Sequence, residues 1–222
     1  MKQTLKRAIV GLIGRDIANR LSAPYHDWKA HRQTSQRLSQ LPDTDLLVNF
    51  GCGPFPMPGW TNVDIARWPG VEIIWDLRHG LPFPDESCAA LFGEHVLEHV
   101  PKEDAEKLLR ECHRVLQKDG VLRLSMPDAG RYLRSYVGDG EFLRHPAFPE
   151  PIETSLDRIN LMMREYGQHL WVYDADSLFL TLRKAGFSRV SQQQFGQSAH
   201  PRMQDVDSEG RAFESLYVEA MK

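Results

Sequence analysis

The stretch Leu46-Leu-Val-Asn-Phe-Gly-Cys-Gly53 limits what this chain can fold into more than any other. Leu46 to Phe50 is a nearly continuous apolar run between Pro42-Asp43 and a pair of glycines. That is the pattern of a strand buried on both faces, at the centre of a parallel sheet. Gly51 and Gly53 then make a turn that carries no Cβ to hold a ligand away from the backbone, with Cys52 between them. After Pro54-Phe-Pro-Met-Pro-Gly-Trp60 a second strand, Thr61-Asn-Val-Asp64, runs into Ile65. Open α/β sheets bind ligands just beyond the carboxyl ends of their strands, and an acid there suits a ribose diol.

The dinucleotide fingerprint needs a third glycine and a helix N-terminus aimed at a pyrophosphate. Here Pro56 takes the third position, and Pro54, Pro56 and Pro58 forbid an ordinary helix. The expected ligand is therefore a nucleoside without a diphosphate, for which S-adenosyl-L-methionine fits better than a nicotinamide or flavin dinucleotide. The run Val48-Asn-Phe-Gly-Cys-Gly53, then Gly59-Trp-Thr-Asn-Val-Asp64, Asp76-Leu-Arg with Leu81-Pro-Phe-Pro-Asp85, and Glu94-His-Val-Leu-Glu-His99 together resemble the class I methyltransferases, type 11 branch. The likeness runs from about Leu46 to Asp128, continues more weakly at Leu216 to Ala220, and leaves out residues 1 to 40.

The resemblance implies a Rossmann-like α/β fold: a seven-stranded, mostly parallel sheet in the order 3-2-1-4-5-7-6, the last strand antiparallel, flanked by helices. It implies a cofactor site at Gly51, Cys52, Gly53, Asp64, Ile65, Asp76, Leu77 and Glu94. In this picture Asp76 accepts a hydrogen bond from an adenine amino group while Leu77 packs on the ring; the plainer reading is that Asp76 caps a turn. Two departures from the family stand out. Asn49 takes the place of an acid that contacts the methionine amino group in many relatives, and the prolines leave little or no first crossover helix.

Methyl transfer from a sulfonium is an in-line displacement, so alignment of acceptor, methyl and sulfur is the protein's main task. A hydroxyl acceptor also needs a base. A fourth strand over Ala89 to Gly93 delivers Glu94 and His95 to the carboxyl edge, which makes His95 the catalytic candidate and His169 a second one. His95 and His99 have the i,i+4 spacing of a metal pair only on a helix; with His95 at a strand end no metal is expected, and His99 is expected to bond the backbone ahead of Pro101.

With 222 residues, 41% hydrophobic and 26% charged, the chain is long enough for one core plus an appendage. The expected division is an N-terminal helical extension over 1–42 and a methyltransferase domain over 43–222, with an insertion at about 138–172 that offers Arg164, Tyr166, His169, Trp171 and Tyr173 to an acceptor. Residues 1–40 hold eight Lys/Arg against two Asp, a charge of +6, so the net −3 leaves −9 on the remainder. Such an acidic body disfavours nucleic acid. Leu5, Ile9, Leu12, Ile13, Ile17 and Leu21 give residues 1–24 the period of an amphipathic helix, packed on the domain or in weak contact with a membrane surface. Cys52, Cys88 and Cys112 make no disulfide framework and suit a reducing cytoplasm.

Helices are also expected over Pro101 to Leu116, stopped by Gly120, and over Glu153 to Tyr166 and Asp174 to Ala185. Strands are expected at Val71 to Leu77, Val121 to Met126, Phe187 to Gln194 and Glu214 to Met221, with a polar, mobile loop over 196–210. The favoured activity is O-methylation of a small molecule or sugar hydroxyl. A non-catalytic cofactor-binding or scaffold protein of the same fold, an RNA or protein methyltransferase, and a nicotinamide oxidoreductase are the rivals. The oligomeric state is not legible.

Overall fold

The fold is that of a computed structural model, which describes residues 34–148, 151–198 and 200–222. The amphipathic helix expected over 1–24 lies outside them, as do residues 25–33 of the extension expected over 1–42. Seven strands form one sheet in the order β3-β2-β1-β4-β5-β7-β6. They are β1 (Leu46–Phe50), β2 (Thr61–Asp64), β3 (Ile73–Ile74), β4 (Cys88–Glu94), β5 (Leu116–Pro127), β6 (Arg189–Gln193) and β7 (Ser215–Met221). β7 runs antiparallel to both β5 and β6, and the pairs among β1 to β5 are parallel. The order and sense are those expected.

Beyond the helical residues 34–38, the α-helices among the described residues are α1 (Lys102–Val115), α2 (Ala129–Val137), α3 (Ser155–Arg164) and α4 (Ala175–Lys184). In α1 the buried residues Ala105, Leu108, Leu109, Cys112 and Val115 recur at three and four positions and cover the sheet. Each fully buried leucine contributes roughly 1.5–3 kcal/mol. Acids at 103 and 104 and bases at 113 and 114 complement the helix dipole. Contrary to expectation Gly120 does not stop this helix: Leu116 turns extended at the C-cap and opens β5, while Asp119, not Gly120, takes the left-handed conformation.

The other shifts in boundary have local causes. β3 shrinks to two residues because Asp76 caps a 3-10 turn over Leu77–His79. Thr154 and Asp174 are N-caps with reciprocal capping boxes, so α3 and α4 start one residue later than their caps.

No helix links β1 to β2. Asn62 holds the proline-rich loop in its stead: its Oδ1 accepts from the amide of Met57 at 2.8 Å and from Asn49 Nδ2 at 3.1 Å, and its Nδ2 donates to the carbonyls of Met57 and Trp60. Above the carboxyl edge, α2, α3 and the 3-10 turn at Phe142–Arg144 enclose a smaller core of Ala129, Tyr132, Leu143, Ile159 and Met162.

Residues 194–210 are not a free polar loop. Met203 is fully buried, and Arg123 of β5 reaches into the segment with all five of its N–H donors engaged. Two go to Asp207 at 2.7 and 2.6 Å, one to Glu219 at 2.8 Å, and two to the carbonyls of Gln194 and Gln197. Among the described residues no helix is long and apolar enough to cross a membrane.

Candidate functional site

Gly51 and Gly53 have φ of +64° and +53°, so the turn after β1 uses the freedom that only glycine has without strain. A Cβ on Gly51 would also lie 2.5 Å from the side chain of Val96. Asp64, at the end of β2, is oriented by this turn: Oδ2 accepts from Gly53 N–H at 2.8 Å, and Oδ1 accepts from Ala66 N–H at 2.7 Å. Each oxygen keeps a lone pair for another donor. Burial, reinforced by the charge of Asp64, pushes the Cys52 thiol up to about 12, so Cys52 is a packing residue and not a nucleophile.

Three cavities adjoin along the carboxyl edge. One of about 370 Å³ is lined by Gly51, Asp64, Ile65, Asp76, Leu77, Val96 and Leu170. A second, about 560 Å³, lies beyond His95 and His99, which line both; Asn49, Gly51 to Phe55, Glu94, Glu165, His169, Ser208 and Arg211 wall it. The third, about 360 Å³, shares Glu165, His169, Gly210 and Arg211 with the second, and adds Tyr132 and Phe148 from the small core together with Arg158, Tyr166, Phe213 and Glu214.

All eight residues expected at the cofactor therefore line the first two cavities. Asp76 is engaged already. It caps the turn through the amide of Arg78 and meets the Arg78 guanidinium at 2.5–3.0 Å, and that hydrogen bond holds its carboxyl below the usual range. Glu94 also has partners, since it accepts from the amide of Ser208 at 3.0 Å and from the Ser208 hydroxyl. Those bonds fix the 194–210 segment and its continuation as a wall of the second cavity.

His95 sits just past β4 with φ of +50°, a strained setting for a non-glycine residue. Its Nε2 is 2.8 Å from Ser215 Oγ, and its Nδ1 is 3.1 Å from Glu98 Oε1. Glu98 is 1% exposed. Burial alone would raise its carboxyl, but the adjacent imidazole of His95 outweighs that and holds it low. The contact is off the hydrogen-bond line, however, and neither oxygen of Glu98 has a well-aligned partner.

His99 does not bond the backbone ahead of Pro101 as expected. Its Nδ1 faces the carbonyl of Gln168 at 3.3 Å, and its ring stands edge-on to that of His169. The three successive residues Glu165, Tyr166 and Gly167 all have positive φ, and this reversal is what brings Glu165 and His169 over the second cavity. Of the other residues expected on the acceptor side, Tyr166 reaches the third cavity; Trp171 and Tyr173 line none of the three. Tyr173 is buried in the main core, and Trp171 lies under the ammonium of Lys102. Ser208, Arg211 and Glu165 had no signal in the sequence, because single polar residues in loops carry no period.

Residues 66–124 match the profile of the methyltransferase domain, type 11. Two curated proteins of Mycobacterium tuberculosis strains, each described as "Probable S-adenosylmethionine-dependent methyltransferase", are 36% identical to the chain over 63 residues. Over these stretches the chain is similar to S-adenosylmethionine-dependent methyltransferases. Its alignment to the two curated relatives takes in 28% of its own length and 22% of theirs. A solved S-adenosylmethionine-dependent methyltransferase from Thermotoga maritima is 21% identical and superposes with a TM-score of 0.50, covering 93% of this chain and 99% of that one. That likeness is one of fold.

Proposed function

We propose that this protein is an active methyltransferase that uses S-adenosyl-L-methionine to methylate a hydroxyl on a small molecule or sugar in the cytoplasm. The observation that carries the reading is the Gly51–Gly53 turn bonded to Asp64 where two cavities meet. The donor set fits such a cofactor: an oriented carboxylate with free lone pairs for a diol, Ile65, Leu77 and Val96 for an apolar ring, and an open glycine turn beside Asn49 for a polar tail. When bound, the cofactor supplies a methyl group already activated by its sulfonium charge.

The remaining work falls to the chain. In this reading Asp64 holds the ribose, the open Gly51–Gly53 turn with Asn49 beside it takes the methionine end, and the wall at Ser208 and Arg211 excludes water. The acceptor occupies the third cavity and extends its hydroxyl into the second. His95 takes the hydroxyl proton at Nε2, where Ser215 Oγ marks the position of a hydroxyl 2.8 Å away. The Glu98 carboxylate, 3.1 Å from Nδ1, favours the positive charge that then develops on the ring. Such assistance is worth roughly 10²–10⁴-fold.

The test is incubation with S-adenosyl-L-methionine and a panel of hydroxylated small molecules and sugars, followed by mass spectrometry of the acceptors. Methylated product with release of S-adenosylhomocysteine is expected. Tight cofactor binding with no transfer to any acceptor class, amines included, would favour the scaffold reading.

A further inference from the structure

Glu98, His99 and His169 each bring one ligand atom within 4.8 Å of the others. Glu98 is the most demanding of the three: it is buried, and among the described residues neither oxygen has a well-aligned hydrogen-bond partner, the Nδ1 of His95 lying 3.1 Å from Oε1. A buried carboxylate in that state calls for a nearby positive charge.

The two rings point to what that charge is. His169 Nδ1 contacts the carbonyl of Met162 and His99 Nδ1 that of Gln168, and a carbonyl only accepts, so each ring carries its proton on Nδ1. Both Nε2 atoms then turn to the same oxygen, Glu165 Oε2, at 3.0 and 3.7 Å. The two ring centroids stand 4.8 Å apart.

We propose that Glu98, His99 and His169 bind a divalent transition metal of the zinc class. A cation among the three ligands gives Glu98 Oε2 its partner. Two imidazoles with one carboxylate, each ring fixed by an Nδ1–H to a carbonyl, is a donor set suited to zinc, with a fourth position left open. Zinc bonds of about 2.0–2.2 Å would bring tetrahedral ligands to about 3.4 Å, so the set closes by side-chain movements of about 1 Å. The open position faces the second cavity, which His99, His169 and Glu165 line. A metal-bound acceptor hydroxyl would lose its proton more readily; that use rests on the methyl-transfer reading, whereas the metal site itself does not.

The test is calorimetric titration of Zn²⁺ alone into the chelator-stripped full chain, with S-adenosylhomocysteine titrated separately. One equivalent of zinc is expected at micromolar strength or tighter, with Co²⁺ giving the visible absorption of a four- or five-coordinate ion. His99 is a third exposed, so His99→Ala should fold normally and weaken zinc at least about tenfold. The His99→Ala/His169→Ala double variant, its fold checked by circular dichroism, should bind no zinc, and Glu98→Gln should weaken zinc while keeping the shape of the site. Absence of stoichiometric zinc binding in the unaltered chain, or undiminished binding in the folded double variant, would overturn the proposal. Zinc binding without S-adenosylhomocysteine binding would remove the cofactor reading and leave the metal site; the opposite result would do the reverse.

Discussion

His95 Nε2 lies 2.8 Å from Ser215 Oγ, although β4 and β7 are not neighbours in the sheet. The Ser215 hydroxyl is also 2.9 Å from the carbonyl of Arg211, so its single proton has two acceptors to choose between. An acceptor hydroxyl that displaces Ser215 from the ring leaves the serine its second partner. We expect His95→Ala to lower kcat by roughly 10²–10⁴-fold and to leave S-adenosylhomocysteine affinity within a few-fold. Ser215→Ala should retain most of the turnover. A His95 variant that turns over normally but binds cofactor poorly would make His95 a binding residue and shift attention to His169.

Gly51 is closed to substitution twice over, by its φ of +64° and by Val96, whose side chain would lie 2.5 Å from an added methyl group. Gly51→Ala should cost about 1–2 kcal/mol in backbone strain alone and reduce cofactor affinity further by moving Val96. Thermal denaturation and cofactor titration on one preparation separate the two effects. A variant as stable and as tight as the parent would show that the turn can adopt another conformation.

Arg123 is the largest fully buried side chain, and its guanidinium ties β5 to Asp207 at 2.6 Å and to Glu219 at 2.8 Å. Arg123→Met should destabilise the fold by about 3–5 kcal/mol in urea unfolding, because it strands two carboxylates. Adding Asp207→Leu and Glu219→Leu should recover part of the loss. If the triple variant is no better than the single one, packing and not charge holds the 194–210 segment.

Asp174 caps α4 by accepting from the hydroxyl and amide of Ser177, and those bonds hold its carboxyl below the ordinary range. A carboxyl lowered by folding adds stability above its unfolded pKa and loses it as pH falls through the lowered value. Asp174→Ala should therefore cost about 1 kcal/mol at neutral pH, and the difference from the parent should shrink in acid. A difference that does not change with pH would assign the effect to helix propensity.

Much of the frame was legible because it rests on local pattern. The apolar run at Leu46 to Phe50, the helical spacing of Ala105 to Val115 and the glycine turn each announce a burial requirement that the fold meets directly. What was not legible depends on chain reversal. Arg123 reads as one charge in an apolar strand until the 194–210 segment folds over it. His99 reads as a partner for the backbone ahead of Pro101, yet the fold sets it against His169, through three left-handed residues of which only one is glycine. Asn62 gave no sign that its amide would take the place of the missing crossover helix.

Binding of S-adenosylhomocysteine, measured calorimetrically for the parent chain and for Asp64→Ala beside a titration with NADH, tests the central claim most directly. The account predicts micromolar binding by the parent, a loss of about 1–3 kcal/mol in the variant through the missing charge-assisted ribose bonds, and weaker binding of NADH. Equal affinity in Asp64→Ala would take Asp64 out of the site, and tighter binding of NADH than of S-adenosylhomocysteine would contradict the account as a whole.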